Sequence, residues 1–372
     1  MIWNMYSQNM NANNQKRNKK KKRNFIFRGV SILCTIVFLV SGLCGCTAGG
    51  NGEKNLPKDQ KKLRVVTTIF PQYDFVRQIA GDNVSLTMLL KPGEETHSYE
   101  PTPQDIIAIQ NADLFIYVGG ENDEWVEDIL ESPEMEDVKR LRLVDCVGNI
   151  LAEEHVEGMK EERGHSHEDE EEESHDEEEH FLHSAEETEE EHNEHVHTMD
   201  EHVWTSPGNA IDIVEHITEE LCSLDSEHGQ TYKDNAEAYE TQLKELDTAF
   251  RDVVENAKNH TLLFGDRFPF RYFAAEYGLD YYAAFSGCAS DTEPSAATMA
   301  FLINKVKEEH IPVVLKMELS NDNIANAIAE ACDVPVKVFY SSHNISAKQF
   351  EAGVTYLDLM KENVETLKEA LR

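Results

Sequence analysis

"YKDNAEAYETQLKELDTAFRDV", Tyr232 to Val253, is the stretch on which the fold turns. Tyr232, Ala236, Tyr239, Leu243, Leu246, Phe250 and Val253 recur at intervals of three and four, the apolar stripe of one amphipathic helix. A helix of about 25 residues rising ~1.5 Å per residue reaches nearly 40 Å. Its meaning depends on what flanks it, and both flanks alternate strand and helix patterns.

Upstream, "LRVVTTIF" from Leu63 reads as a buried strand, and Pro71 opens a helix that ends at Gly81. "VSLTMLL" is the next strand, "TPQDIIAIQNA" a helix capped by Thr102, "DLFIYVGG" a strand, Trp125 to Leu130 a helix, and "RLRLVD" a strand. Downstream the alternation restarts with "TLLFGD", "PFRYFAAEYG", "LDYYAAF", "SAATMAFLINKVKEEH", "IPVVLKME", "NIANAIAEA", "VPVKVFYSS" and a terminal helix. Such alternation predicts mainly parallel sheets covered by helices. The expected architecture is α/β: two Rossmann-like lobes joined by one long rigid helix and facing a cleft. The expected boundaries are 63–222 for the first lobe, 223–259 for the linking helix and 260–372 for the second lobe.

The chain has 372 residues and a formal charge of −37. The charge is concentrated. Residues 152–201 carry 23 Asp and Glu against Lys160 and Arg163, a net of −21. Such acidity excludes nucleic acid, whose phosphates demand the opposite sign. Segment 152–198 also holds nine imidazoles, His155, His165, His167, His175, His180, His183, His192, His195 and His197. A run of like charge with few large apolar groups is expected to be disordered. Its histidines and carboxylates form a flexible ligand field for zinc, weak because nothing sets its geometry.

The N-terminus is basic instead: Lys16, Arg17, Lys19 to Lys22, Arg23 and Arg28 precede the apolar run Val30 to Val40 and "SGLCGC". This is the pattern of an export signal, with an apolar core too short to span a membrane comfortably. The ending resembles a bacterial lipobox, with Cys44 a less usual middle residue, so residues 1–45 are expected to be removed, Cys46 lipidated and 46–62 left as a tether. Losing eight basic residues takes the charge from −37 to −45. The working domain then lies on the outer face of a bacterial cell membrane. Cys146, Cys222, Cys288 and Cys332 show no CxxC spacing, which argues against a zinc knuckle and leaves disulfide pairing open.

Ligands of open α/β sheets bind beyond the carboxyl ends of strands. His97 follows the second strand, His202 in "DEHVWTSP" precedes a helix started by Pro207, Asp266 follows the strand "TLLFGD", Glu318 ends "VVLKME" and His343 follows "VFYSS". Each alone would be unremarkable as a surface or capping residue; five together mark a metal site. All five stand as candidate ligands of that site. Its nitrogen-rich donors suit zinc, whereas manganese favours more oxygen.

These motifs resemble those of the substrate-binding lipoproteins of zinc and manganese ABC importers. "PGEETHSYEPTPQD" is similar to the first ligand motif, "DEHVWTSP" to the second with Glu201 where Pro is common, and "FRYFAAEYGLDYY" to the second-lobe signature. An acidic His-rich insertion before the second motif is a trait of the zinc-type members. The resemblance covers Leu63 to Arg372 and implies one metal ion held between two lobes and delivered to a membrane permease with its cytoplasmic ATPase. It also implies a lipid-anchored monomer. One departure matters: relatives place a His or Glu where Arg267 stands, and a cation cannot ligate a cation. His343 lies where manganese-type relatives have Asp. With that departure, the resemblance implies a ligand set of His97, His202, His343 and Asp266, with Glu318 beside it or as a substitute. His97 and His202 are expected to form the half-site that captures zinc, completed by His343 and Asp266 on closure.

The competing readings are a manganese importer of the same family, an extracellular zinc buffer or adhesin using the loop alone, and a zinc hydrolase. The sequence carries no HExxH, GxSxG or P-loop, which weighs against the enzyme.

Overall fold

In the computed structural model, residues 62–94, 99–120, 123–159, 199–287, 289 and 293–372 are described. The first sheet comprises β1 (Leu63–Thr67), β2 (Val84–Met88), β3 (Leu114–Tyr117) and β4 (Lys139–Arg142) in the order β2-β1-β3-β4, every pair parallel. The second repeats the plan with β5 (Thr261–Phe268), β6 (Asp280–Ser286), β7 (Val314–Lys316) and β8 (Val336–Val338) in the order β6-β5-β7-β8, again parallel. Parallel neighbours need crossovers, and these are α1 (Phe70–Ala80), α2 (Pro103–Gln110), α3 (Glu124–Leu130), α6 (Arg271–Tyr277), α7 (Ala296–Glu308) and α8 (Asn323–Cys332). Burial on both faces makes β3 apolar throughout, Leu-Phe-Ile-Tyr with all four residues buried.

Local chemistry sets the helix ends. Thr102 accepts the Asp105 N–H at 3.3 Å while the Asp105 carboxylate accepts the Thr102 N–H at 2.8 Å, a reciprocal cap on α2. α1 stops where Gly81 takes φ 52°.

The linking helix is α5 (Gly229–Glu255), 27 residues long. It buries Tyr232, Ala236, Tyr239, Leu243, Leu246 and Phe250 as the stripe predicts, but the last buried position is Val254 and not Val253. Four-residue steps from Leu246 through Phe250 reach Val254, and Val253 is left half-buried at the edge of the stripe. α5 packs on α4 (Pro207–Leu224), on α1 of the first lobe and on α10 (Tyr356–Ala370), which follows the short α9 (Ala347–Glu351). Tyr239 meets Phe75 on the first-lobe side, and Phe250 meets Phe273 of the second, with centroids 4.9 Å apart in the latter pair. One core therefore runs from Val65 through the α5 stripe to Phe264 and Leu315.

Polar bonds cross between the lobes as well. Asp74 of α1, fully buried, accepts the Tyr356 N–H at 2.7 Å; Trp204 Nε1 donates to the Ser341 carbonyl at 2.9 Å; the Asn344 amide donates to the Lys91 and Glu94 carbonyls. In both sheets the chain leaves the central strand to one side and returns on the other, between β1 and β3 and between β5 and β7. Loops beyond the carboxyl ends diverge at that point and open a crevice. The two crevices face each other, and the site residues lie there.

Candidate metal-binding cleft

From the first lobe comes the segment before α4. Ser206 caps that helix by accepting the Asn209 N–H, and just ahead of it His202 is fully buried. Asp200 holds the imidazole: its Oδ1 accepts the His202 backbone N–H at 2.9 Å and lies 3.1 Å from Nδ1. With Nδ1 donating to that carboxylate, Nε2 carries the lone pair, which is the arrangement of a histidine prepared for a metal. Burial pulls the His202 pKa down, but the charge and hydrogen bond of Asp200 outweigh it and the net direction is upward. Asp200 is itself fixed from the second lobe, where the Tyr272 hydroxyl donates to its carbonyl at 2.9 Å.

From the second lobe come two loops. The loop after β7 carries Glu318, and the loop after β8 carries Ser341, Ser342 and His343. The Glu318 carboxylate accepts the Ser341 N–H at 2.7 Å and the Ser341 hydroxyl at 2.8 Å, so the two loops are tied to each other. Burial pushes the Glu318 carboxyl up to about 7, although the bonds from Ser341 act the other way. The His343 ring stands at 86° to that of His202, with centroids 5.4 Å apart, and both imidazoles pack against Trp204.

A cavity of about 30 Å³ is walled by Glu94, His202, Arg267, Glu318, Ser341 and His343. That is room for one water-sized occupant. His343 also borders a second, smaller cavity with Tyr99, Asp123, Trp125 and Glu201. Asp123 accepts the Val118 and Gly119 N–H groups; burial nevertheless pushes its carboxyl up to about 7, helped by the charge of Glu201. Gly120 gives the close approach needed here, because a Cβ at that position would fall 2.6 Å from the Glu201 Cβ, which cannot swing aside as the carboxylate could.

The structure thus brings His202, His343 and Glu318 to one wall. Asp266 is not on it. Its Oδ1 accepts the Arg267 N–H at 2.9 Å, and its Oδ2 accepts the Met317 N–H at 3.0 Å and the Ser320 hydroxyl. Three donors occupy the carboxylate expected to ligate, and the residue facing the cavity from β5 is Arg267. The cause is a register shift between Phe264 and Arg267, with Gly265 pressed so close to Ala325 of α8 that a Cβ would lie 2.5 Å from its Cα. His97 lies outside the described residues, as do Cys46, the leader and tether, and His165, His167, His175, His180, His183, His192, His195 and His197. His155 is described and exposed. Among the described residues no three His, Cys, Asp or Glu side chains converge on one point as a complete ligand set. Two residues of the site lie outside the sequence expectation: Asp200, whose signal is its place two residues before His202, and Ser341, which has no local signal.

With this geometry in place, comparison with known proteins assigns the type. Two helix-covered parallel-sheet lobes match the architecture of the ZnuA-like periplasmic binding proteins. The chain belongs to the family of zinc-uptake complex component A, periplasmic, whose pattern matches residues 65–370. The zinc-binding lipoprotein AdcA of Streptococcus pneumoniae strain R6 is 32% identical over 309 residues, covering 83% of this chain and 56% of AdcA. The high-affinity zinc uptake system protein ZnuA of Bacillus subtilis strain 168 is 31% identical over 341 residues, covering 90% of this chain and 94% of that protein. The Zn(II)-bound ZnuA-like domain of Streptococcus pneumoniae AdcA superposes with a TM-score of 0.63 at 28% identity, covering 83% of this chain and 99% of that domain. The metal-dependent lipoprotein YcdH of Bacillus subtilis gives 0.65 at 27%, with 83% and 99% covered. The chain spans little more than half the length of the streptococcal AdcA proteins it matches.

Proposed function

We propose that this protein captures Zn²⁺ outside the cytoplasm, anchored to the membrane through Cys46, and delivers it to an ABC-type permease for uptake. The observation that carries the reading is the His202–His343 pair. Two imidazoles bound to one tetrahedral zinc at about 2.0–2.1 Å place their ring centroids about 5 Å apart, and here the separation is 5.4 Å. The pair comes from opposite lobes, with Asp200 behind one ring. His97, which in sequence falls between Glu94 and Tyr99, is the third donor we assign, and Glu318 on the cavity wall stands beside the shell or substitutes in it, its carboxylate already accepting from Ser341 and Ser342. Asp266 supports this shell from behind.

Zinc is favoured over manganese because the set is rich in imidazole, which suits the borderline metal better than a harder oxygen-seeking one. A pure buffer would need only the His-rich segment, not a buried imidazole with its own carboxylate partner. Membership of a zinc-uptake family, with no HExxH in the sequence, weighs against a hydrolase.

The test is zinc titration of the mature protein against a competing chelator, with and without residues 152–198. One tight equivalent is expected in both, with additional weak equivalents only in the full chain. His202→Ala and His343→Ala should each weaken the tight site by at least the ~10 to 100-fold typical of losing a supporting contact alone. Tight binding that disappears with the loop, or that survives both histidine changes, or that prefers Mn²⁺, defeats the proposal.

A further inference from the structure

Only four described non-glycine residues have positive φ, and two of them flank the cleft: Leu319 at 61°, next to Glu318, and Ser342 at 60°, next to His343. The other two, His310 and Asp333, follow helices α7 and α8, where a left-handed residue is an ordinary helix stop. Leu319 and Ser342 end no helix. A left-handed leucine is a steric outlier. Its side chain does not explain it, being 46% exposed. Ser342 is fully buried, and its hydroxyl has no hydrogen-bond partner among the described residues, so its side chain does not explain it either.

The hydrogen bonds show what holds these conformations. Asp266 Oδ2 accepts from Met317 and from Ser320, the residues that bracket Glu318 and Leu319. The Ser320 hydroxyl also lies 3.1 Å from the Met317 carbonyl, closing the turn on itself. In the other loop, Ser341 and Ser342 turn successive backbone N–H groups toward the Glu318 carboxylate, and the His343 N–H donates to the Ser341 hydroxyl at 3.3 Å. Asp266 thus pins one strained turn, and that turn's Glu318 pins the other. Strained backbone persists where its surroundings over-determine it, and it gathers at ligand clamps.

We propose that Leu319 and Ser342 are positioning residues, held left-handed through Asp266, whose strained backbones set Glu318 and His343 in their zinc-ready placement before the metal arrives. This rests on the zinc reading of the cleft given above. Asp266 is then the pin of the device and not a ligand. Neither serves the stability of the fold, since glycine would occupy both positions without strain.

The experiment uses the mature full chain with Zn²⁺ as the probe, reading affinity by chelator competition and apo stability by thermal unfolding. The double variant Leu319→Gly, Ser342→Gly should unfold no lower than the parent yet bind zinc about tenfold more weakly, because its loops sample more conformations. Leu319→Ala keeps a side chain on the strained backbone and should bind within about threefold of the parent. Asp266→Asn should lower the unfolding temperature less in the Leu319→Gly background than alone, since less strain remains to be held. Parent-like affinity of the double glycine variant overturns the proposal. So does a loss of affinity that tracks a loss of stability, or an equal loss in Leu319→Ala. His202→Ala, measured alongside, separates the two levels. Full zinc binding by that variant removes the cleft as the site and this proposal with it, whereas its failure beside a parent-like double variant overturns only the positioning role.

Discussion

Asp123→Asn should stabilise the zinc-free protein, and by an amount that grows with pH. Asp123 is buried and titrates at about 7 in place of 3.8. The folded state therefore holds a proton on this group, between about pH 4 and 7, that the unfolded chain has released. By linkage, stability then falls as pH rises through that window and levels off above it. At about 1.4 kcal/mol per pH unit over the roughly three units between the two values, the penalty at pH 8 comes to a little over 4 kcal/mol, an upper figure because buried groups relax and admit water. Asparagine retains an oxygen to accept the Val118 and Gly119 N–H groups, at 2.7 and 3.1 Å in the parent, and removes the charge. Thermal unfolding in the presence of a chelator at pH 5, 6, 7 and 8 measures the effect. At roughly 2 °C per kcal/mol for a chain of this size, the variant should gain several degrees at pH 8 and little at pH 5. A shift of the same size at every pH would show that the carboxyl is ionised in the fold across this range just as it is in the unfolded chain, with no upward shift. A lower unfolding temperature at pH 8 would mean that its charge is compensated. Either result would refute the reasoning.

Asp200→Asn, which weakens the grip on His202 Nδ1 without emptying the space, should reduce zinc affinity by about 10 to 100-fold in the same chelator competition while leaving the fold intact. Asp74→Ala removes the carboxylate partner of the Arg77 guanidinium and leaves the buried Tyr356 N–H without an acceptor beneath the lobe junction, and should cost about 3 kcal/mol, read as a fall in denaturation midpoint. Cys46→Ser should release the protein from the membrane or leave its precursor unprocessed, as cell fractionation and mass determination would show; a mature-sized, membrane-retained product would count against lipidation.

Much of the fold is written in local pattern. The α5 stripe, the Thr102 cap, the Pro71 start and the Gly81 stop depend on residues within a turn or two of each other, so the sequence alone located them. The parallel lobes follow from alternation, because strands joined through helices must run the same way. The candidate donors were legible to the extent that strand ends were. His202, Glu318 and His343 do meet at one cavity, and the acidic His-rich segment was evident from composition.

Tertiary structure decided which strand-end residues face that cavity. Asp266 is drawn aside by Met317 and Ser320, more than 50 positions away, and Arg267 takes its place on the wall after a register shift that depends on how closely Gly265 meets α8. Glu318 is tied to Ser341 and its neighbouring loop across 23 positions. A carboxylate at a strand end has the same local signature whether it points at a metal or accepts backbone N–H groups. Only the three-dimensional arrangement of donors distinguishes the two, since every buried carboxylate oxygen must find partners and takes the ones the packing supplies.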